Sequence, residues 1–129
     1  MTDFTSPTRA LIFYKMDAKE ILTYCQTKKG VEETFPFNPE TLVLKVLGKM
    51  FLLMPLEKQP LEIALKTDPE WSAELREQHP QITGAYHMNK THWNSVVCEG
   101  LKRDLILRMI DQSYDLVVAS LPKKLRDEL

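Results

Sequence analysis

What the 129 residues lack narrows the reading first. There are two cysteines, Cys25 and Cys98, far apart and outside any CxxC spacing. That argues against a disulfide framework and reads as two buried thiols in a reducing compartment. No apolar run approaches the ~18 residues needed to span a bilayer. The first residues lack a basic start followed by a long apolar core, so no signal peptide is expected and the cytoplasm is the expected location. Strong charge of either sign is also missing: 17 Lys and Arg stand against 18 Asp and Glu, a formal net charge of -1. A protein that holds DNA by charge alone is usually basic overall, so any nucleic-acid surface must here be a local patch. No HExxH, P-loop, dinucleotide fingerprint or nucleophile elbow occurs. There are no internal repeats and no low-complexity segment. What remains is one domain of ordinary size, able to bury roughly two thirds of its unfolded surface without metal or disulfide staples.

One absence is local. Between Glu77 and Glu99 there is no acidic residue, and all three histidines (His79, His87, His92) fall in that segment. Its middle, Tyr86 to Val97, packs two histidines, two asparagines, a lysine and a tryptophan together. A stretch rich in donors and poor in carboxylates is the first candidate for a contact surface.

Periodicity and punctuation give the elements. Residues 1–16 form an N-terminal extension, polar at first and apolar from Ala10 to Tyr14, with Met16 a candidate alternative start. Asp17 is an N-cap with Glu20 as capping-box partner, and Met16 and Ile21 are placed for a hydrophobic staple. Ala18, Ile21, Leu22 and Cys25 share one helical face, so a helix is predicted over Ala18 to Lys28, with Gly30 at the left-handed C' position. Extended runs follow at Glu32 to Phe37, Thr41 to Leu47, Met50 to Met54 and Leu61 to Lys66, with Gly48-Lys49 predicted as a two-residue II' turn. Thr67-Asp68-Pro69-Glu70 opens a second helix that Pro80 ends. Its charges, Glu70 to Glu77, read as an exposed face. Two strands, Ile82 to His87 and His92 to Cys98, flank a turn at Met88 to Thr91. A long helix from about Lys102 to Leu121 carries Ile106, Met109, Ile110, Ser113, Tyr114 and Val117 on one face. Residues 17–123 are the domain, and 124–129 a charged, solvated tail. The order predicts an α+β fold, a mainly antiparallel sheet of five to six strands with helices on one face.

Several blocks together resemble the MmcQ/YjbR family. They are Gly30-Val31-Glu32-Glu33-Thr34-Phe35-Pro36-Phe37, the hairpin Leu44 to Phe51, Leu65-Lys66-Thr67-Asp68-Pro69, and Ile110-Asp111-Gln112-Ser113-Tyr114 followed by Leu121-Pro122. The most specific is Tyr86-His87-Met88-Asn89-Lys90-Thr91-His92-Trp93. The resemblance covers about Asp17 to Lys123. It implies a CyaY-like, double-wing fold and a DNA-binding role, a role that rests on likeness of fold. Two departures stand out: residues 1–16 have no counterpart, and Gly100-Leu101-Lys102-Arg103 replaces a Gly-Ser-x-Pro connection. Frataxin-like iron binding does not carry over, because the first helix lacks an acidic ridge.

The leading expectation is a non-enzymatic, monomeric DNA-binding protein that touches nucleic acid through a local basic wing. The candidate residues are Lys45, Lys49, Lys66, His87, Asn89, Lys90 and His92, since Lys and Asn bond phosphate oxygens and Asn can read an adenine edge. The bland alternative is that Asn89 stabilises its own turn, Lys90 is a solvated charge and Trp93 is core. A protein-interaction or small-ligand module on the sheet face near Trp93 and Phe37 is the competing class. An enzyme using His87 and His92 is a further one, against which strand alternation places His92 and Trp93 on opposite faces. No cofactor, metal or membrane is expected: His87 and His92 lack nearby carboxylate or thiolate partners.

Overall fold

The computed structural model describes residues 16–85 and 88–129. Ten elements follow in chain order: α1 (Ala18–Gln26), β1 (Val31–Thr34), β2 (Thr41–Val46), β3 (Lys49–Pro55), β4 (Glu62–Lys66), α2 (Pro69–Gln78), β5 (Ile82–Gly84), β6 (Trp93–Val97), α3 (Arg103–Ser120) and α4 (Lys123–Arg126). The six strands form one sheet in the order β1-β2-β3-β4-β6-β5, and every neighbouring pair is antiparallel. The fold is α+β, and α1, α2 and α3 pack on one sheet face. Ile21, Leu75, Ile106 and Met109 from the helices meet Leu44, Leu52, Ile63 and Leu65 from the strands in a single core. Strand alternation assigns the faces. Leu42, Leu44, Val46, Ile63, Leu65, Asn94 and Val96 point to the helices; Lys45, Lys66 and Trp93 point away.

The helix starts follow the cap residues. Asp17 Oδ1 accepts the Glu20 amide at 2.8 Å, and Asp68 Oδ1 accepts the Trp71 amide at 2.9 Å with Pro69 opening α2. The capping box at α1 is only half made, because the Glu20 carboxylate pairs with Arg103 instead of reaching back. α1 also stops at Gln26, two residues early, and Lys28 turns across to α3. α3 begins at Arg103, and its N-cap Lys102, in the connection that departs from Gly-Ser-x-Pro, makes no side-chain cap bond.

The β2–β3 hairpin corrects the expected turn by one residue. Val46 pairs with Lys49, so the turn residues are Leu47 and Gly48, both with positive φ (46° and 89°). That is a type I' turn, not II'. Glycine meets this demand freely; Leu47 costs of order 1–3 kcal/mol in backbone strain. The cost is offset because the Leu47 side chain packs against the core beside Gly30. The chain end also reaches this corner. The charged residues of the tail are exposed, but Leu129, three residues beyond the short helix α4, packs its side chain over Gly30, while Lys29 Nζ bonds the Leu129 carbonyl at 3.2 Å.

A bulge interrupts the same hairpin. Leu44 pairs with Leu52 but Lys45 pairs with Met50, so Phe51 is an extra residue. Phe51 and Leu52 are consecutive and both fully buried in the core. Regular alternation would have sent one of them outward. On the other side of β3, pairing with β4 runs only over Leu52↔Leu65 and Leu53↔Ala64. The next pair in that register would be Phe51 with Lys66. Ser113 of α3 fills the gap: its hydroxyl donates to the Phe51 carbonyl at 2.6 Å and accepts the Lys66 amide at 2.9 Å.

Ser113→Ala should therefore leave a buried carbonyl and a part-buried amide without partners. The expected loss is about 2 kcal/mol or more of unfolding free energy, beyond the few tenths typical of a surface serine. Urea unfolding of the variant checks it.

Candidate functional site

The structure does not gather the six described candidate residues on one surface. Lys45 and Lys66 lie on the sheet face away from the helices, Lys45 opposite Met50 and Lys66 opposite Trp93. They are separated by about two strand spacings, roughly 10 Å. Neither forms an ion pair among the described residues. Lys49 falls on the helix side of the hairpin, in register with Val46, and its ammonium donates to Ser120 Oγ at 3.0 Å. The β5–β6 connection emerges at the same end of the sheet as the β2–β3 turn, because Lys66, Trp93 and Gly84 all lie there.

In that connection Asn89 is exposed, yet its side-chain carbonyl accepts the Thr91 amide at 2.9 Å. Its main-chain carbonyl takes the His92 and Trp93 amides at 3.2 and 2.8 Å. Asn89 thus builds its own turn. The stem of Lys90 lies over Gly84, where a Cβ would meet Lys90 carbons at 3.2–3.4 Å. Gly84 pairs with Asn94, so this packing is on the helix side. Lys90 therefore does not extend the row of Lys45 and Lys66. His92 is half-buried and contributes its carbonyl to the Thr67 amide at 2.9 Å. His87 lies outside the described residues. The predicted strand Ile82 to His87 is regular only to Gly84.

Beneath the turn is a polar network not anticipated from sequence. Asn94, from the donor-rich stretch, is fully buried. Its amide nitrogen donates to Thr67 Oγ1 at 2.8 Å, and its carbonyl accepts Arg76 Nε at 2.8 Å. Arg76 also donates to the carbonyls of Lys90 and Trp93, at 2.5 and 3.1 Å. Thr67 and Ser72 hydroxyls share a hydrogen bond at 2.5 Å. Arg76 therefore belongs to the scaffold of the turn rather than to an exposed face, and α2 holds the start of β6 through it. A residue-by-residue signal existed only in the helical spacing of Ser72 and Arg76, four apart on the side facing β6.

Carboxylates predominate on α2, while α3 is mixed. Exposed Glu70, Glu74 and Glu77 line α2, and exposed Asp104 and Asp115 stand beside exposed Arg103 and Arg108 on α3. Between the two helices runs an open groove of about 550 Å³ with Trp71, Glu74, Asp111 and Asp115 in its walls. Arg108 sits 5.5 Å from the Trp71 ring centre. At the far end of α3's contact with α1, Asp111 Oδ1 accepts both Tyr24 Oη and Lys28 Nζ at 2.7 Å. The Lys28 ammonium lies 5.3 and 5.0 Å from the Tyr24 and Tyr114 ring centres. The bond to Asp111, with burial second, pushes the Tyr24 hydroxyl up to about 12. Burial pushes the Cys25 and Cys98 thiols up to about 12 as well. Neither thiol is a ready nucleophile at neutral pH. Among the described residues no three His, Cys, Asp or Glu side chains are grouped to hold a metal ion, and no helix is long and apolar enough to cross a membrane.

An open antiparallel sheet, backed by helices and bearing a lysine–tryptophan row on its other face, is the class of protein these observations define. The sequence pattern of the YjbR family matches residues 26–116. YjbR of Escherichia coli K12 is 32% identical over 112 residues, covering 86% of this chain and 95% of that protein. YbdF of Escherichia coli O157:H7 is 41% identical over 99 residues, covering 73% and 78%. The crystal structure of Deinococcus radiodurans protein DR2400, with domain DUF419, has a TM-score of 0.82 and 38% identity, covering 88% of each chain. A Pseudomonas syringae crystal structure has a TM-score of 0.66 and 30% identity, covering 78% of this chain and 98% of that one. The chain belongs to the YjbR family.

Two outcomes follow from the geometry. Arg76→Met keeps the stem and removes the donors. The amides of His92 and Trp93 should then exchange with solvent at least tenfold faster, while those of Leu44 and Leu52 stay protected; hydrogen exchange by NMR reads this directly. For pH, Tyr24, Cys25 and Cys98 hold protons in the folded chain that the unfolded chain gives up near the ordinary values of 10.0 and 9.0. Their contribution to stability is complete below about pH 9 and drains as pH rises towards 12. In Tyr24→Phe the fall in unfolding free energy between pH 10 and 12 should be shallower, as measured by urea unfolding across that range.

Proposed function

We propose that this is a non-enzymatic DNA-binding protein whose contact surface is the face of its sheet that no described helix covers. The observation that carries the reading is the row Lys45, Met50, Lys66 and Trp93 across β2, β3, β4 and β6. Two lysines without ion pairs among the described residues lie beside an aromatic ring on a face no described helix covers. Lysines of this kind bond phosphate oxygens, and an indole offers a flat apolar partner to a base. The nearby carboxylates are partly occupied. Glu62 accepts the Ser95 hydroxyl at 2.6 Å and pairs with Lys58 at 3.1 Å, while Glu32 stands in register with Lys45 at the sheet edge. The exposed carboxylates of α2 would repel phosphates, so DNA approaches from the sheet side.

The two hairpin tips at one end of the sheet fit a double-wing arrangement that flanks this row. The buried free thiols fit a reducing cytoplasm. A competing reading has its own observation. Phe35, Phe37 and Leu56 are exposed at 48%, 63% and 39%. They lie at the end of the sheet away from Trp93, where they would suit a protein contact.

The test is DNA binding at graded salt. Wild-type affinity should fall steeply with salt. The Lys45→Ala, Lys66→Ala double variant should bind more weakly and lose roughly one unit of salt slope per lysine. Salt-independent or undetectable binding by well-folded wild-type protein overturns the proposal.

A further inference from the structure

We infer that the preferred ligand of the sheet face is single-stranded rather than duplex nucleic acid, with Trp93 stacking on a base and Lys66 and Lys45 holding the flanking phosphates. This rests on the nucleic-acid reading above and adds the strand state.

The argument begins with what a duplex needs. Sequence readout in B-DNA usually places a helix or a two-stranded ribbon in the major groove. The long helices here present Glu70, Glu74 and Glu77 on α2 and, among Arg103 and Arg108, Asp104 and Asp115 on α3. Inserting either would bring carboxylates against phosphates. The cations are instead spread across a sheet face in the company of an indole. A paired base hides its flat faces in the stack, so Trp93 gains nothing from a duplex. An unpaired base exposes both faces and can lie on the ring.

The placement is also held in the way a stacking platform requires. Trp93 begins β6, with its amide bonded to Asn89 O at 2.8 Å and its carbonyl bonded to Arg76 and to the Ala85 amide. Lys66, its partner across the strands, is the last residue of β4, and its amide is fixed by Ser113. The ring and the nearest ammonium stem are therefore anchored by main-chain bonds on adjacent strands. Lys45 lies two strands further on, separated by the unbranched side chain of Met50. The result is one aromatic contact and two phosphate contacts along a line across the sheet, the combination used for unpaired strands with little base preference.

The experiment uses the full chain carrying Trp71→Phe, which leaves Trp93 as the sole tryptophan. The probes are a twenty-nucleotide oligo(dT) and the same strand annealed to oligo(dA). Oligo(dT) should quench Trp93 fluorescence and bind at least tenfold more tightly than the duplex. Trp93→Leu should weaken oligo(dT) binding about tenfold and leave duplex binding unchanged. Trp93→Phe, which retains a ring and is the milder change to packing, should fall in between. Circular dichroism confirms that each variant is folded. Equal affinity for the two probes without quenching overturns this inference and leaves the DNA-binding reading standing. No binding of either probe overturns both.

Discussion

A serine hydroxyl holds two strands together where their own ladder stops. Ser113 reaches from α3 into the gap between β3 and β4, donating to the Phe51 carbonyl and accepting from the Lys66 amide. The Phe51 carbonyl is buried and the Lys66 amide part-buried, and an unmet buried group would cost more than an ordinary hydrogen bond contributes. One side chain thus fixes the long helix to the sheet centre and accommodates the bulge. Around it the layers agree. Ile106, Met109, Ile110 and Val117 flank Ser113 on the same helical face and are buried. The Phe51 ring packs edge-on to Tyr114 at 5.5 Å. The helix cannot slide without losing the polar bridge and the apolar contacts together.

This arrangement separates charge. Acidic side chains gather on the outer surface of α2, α3 mixes aspartates with Arg103 and Arg108, and Lys45 and Lys66 occupy the sheet's other face. A net charge of -1 is therefore an average over unlike sides and describes neither of them. Field lines that matter to an approaching ligand extend only about 10 Å at ordinary salt, less than the thickness of a helix layer on a sheet. A polyanion would thus respond mainly to the side it meets. The carboxylate-poor segment 78–98 contributes to this less through Asn89 and Lys90 than through Trp93.

Much of the fold was legible because the code for it is local. Caps at Asp17 and Asp68, prolines at 69 and 122, and the apolar stripe of α3 each act over a few residues, and the elements fell where they indicate. The misses have a shared cause. Met50 to Met54 is an unbroken apolar run, so no period within it could reveal that Phe51 is an extra residue. The turn shifted by one because Gly48 can occupy either central place in a tight hairpin. Asn94 read as a surface donor and Arg76 as an exposed charge, since their burial depends on each other across elements 18 residues apart in sequence. The candidate site was legible only as a list of residue types. Which lysines share a face is decided by register, and register is a property of strand pairs.

The inserted Phe51 is an addition to the interior. Without it, Leu44 would still face Leu52, Lys45 would face Met50 and Val46 would face Lys49, but no phenyl ring would enter the interior at this point. With it, the ring joins the interior while Lys49 keeps its place on the helix side, at Ser120. One added amino acid thus supplies an aromatic filling without moving a charge. In a relative with a hairpin one residue shorter, the surface would carry the same cations over an emptier interior, even if every other side chain were the same.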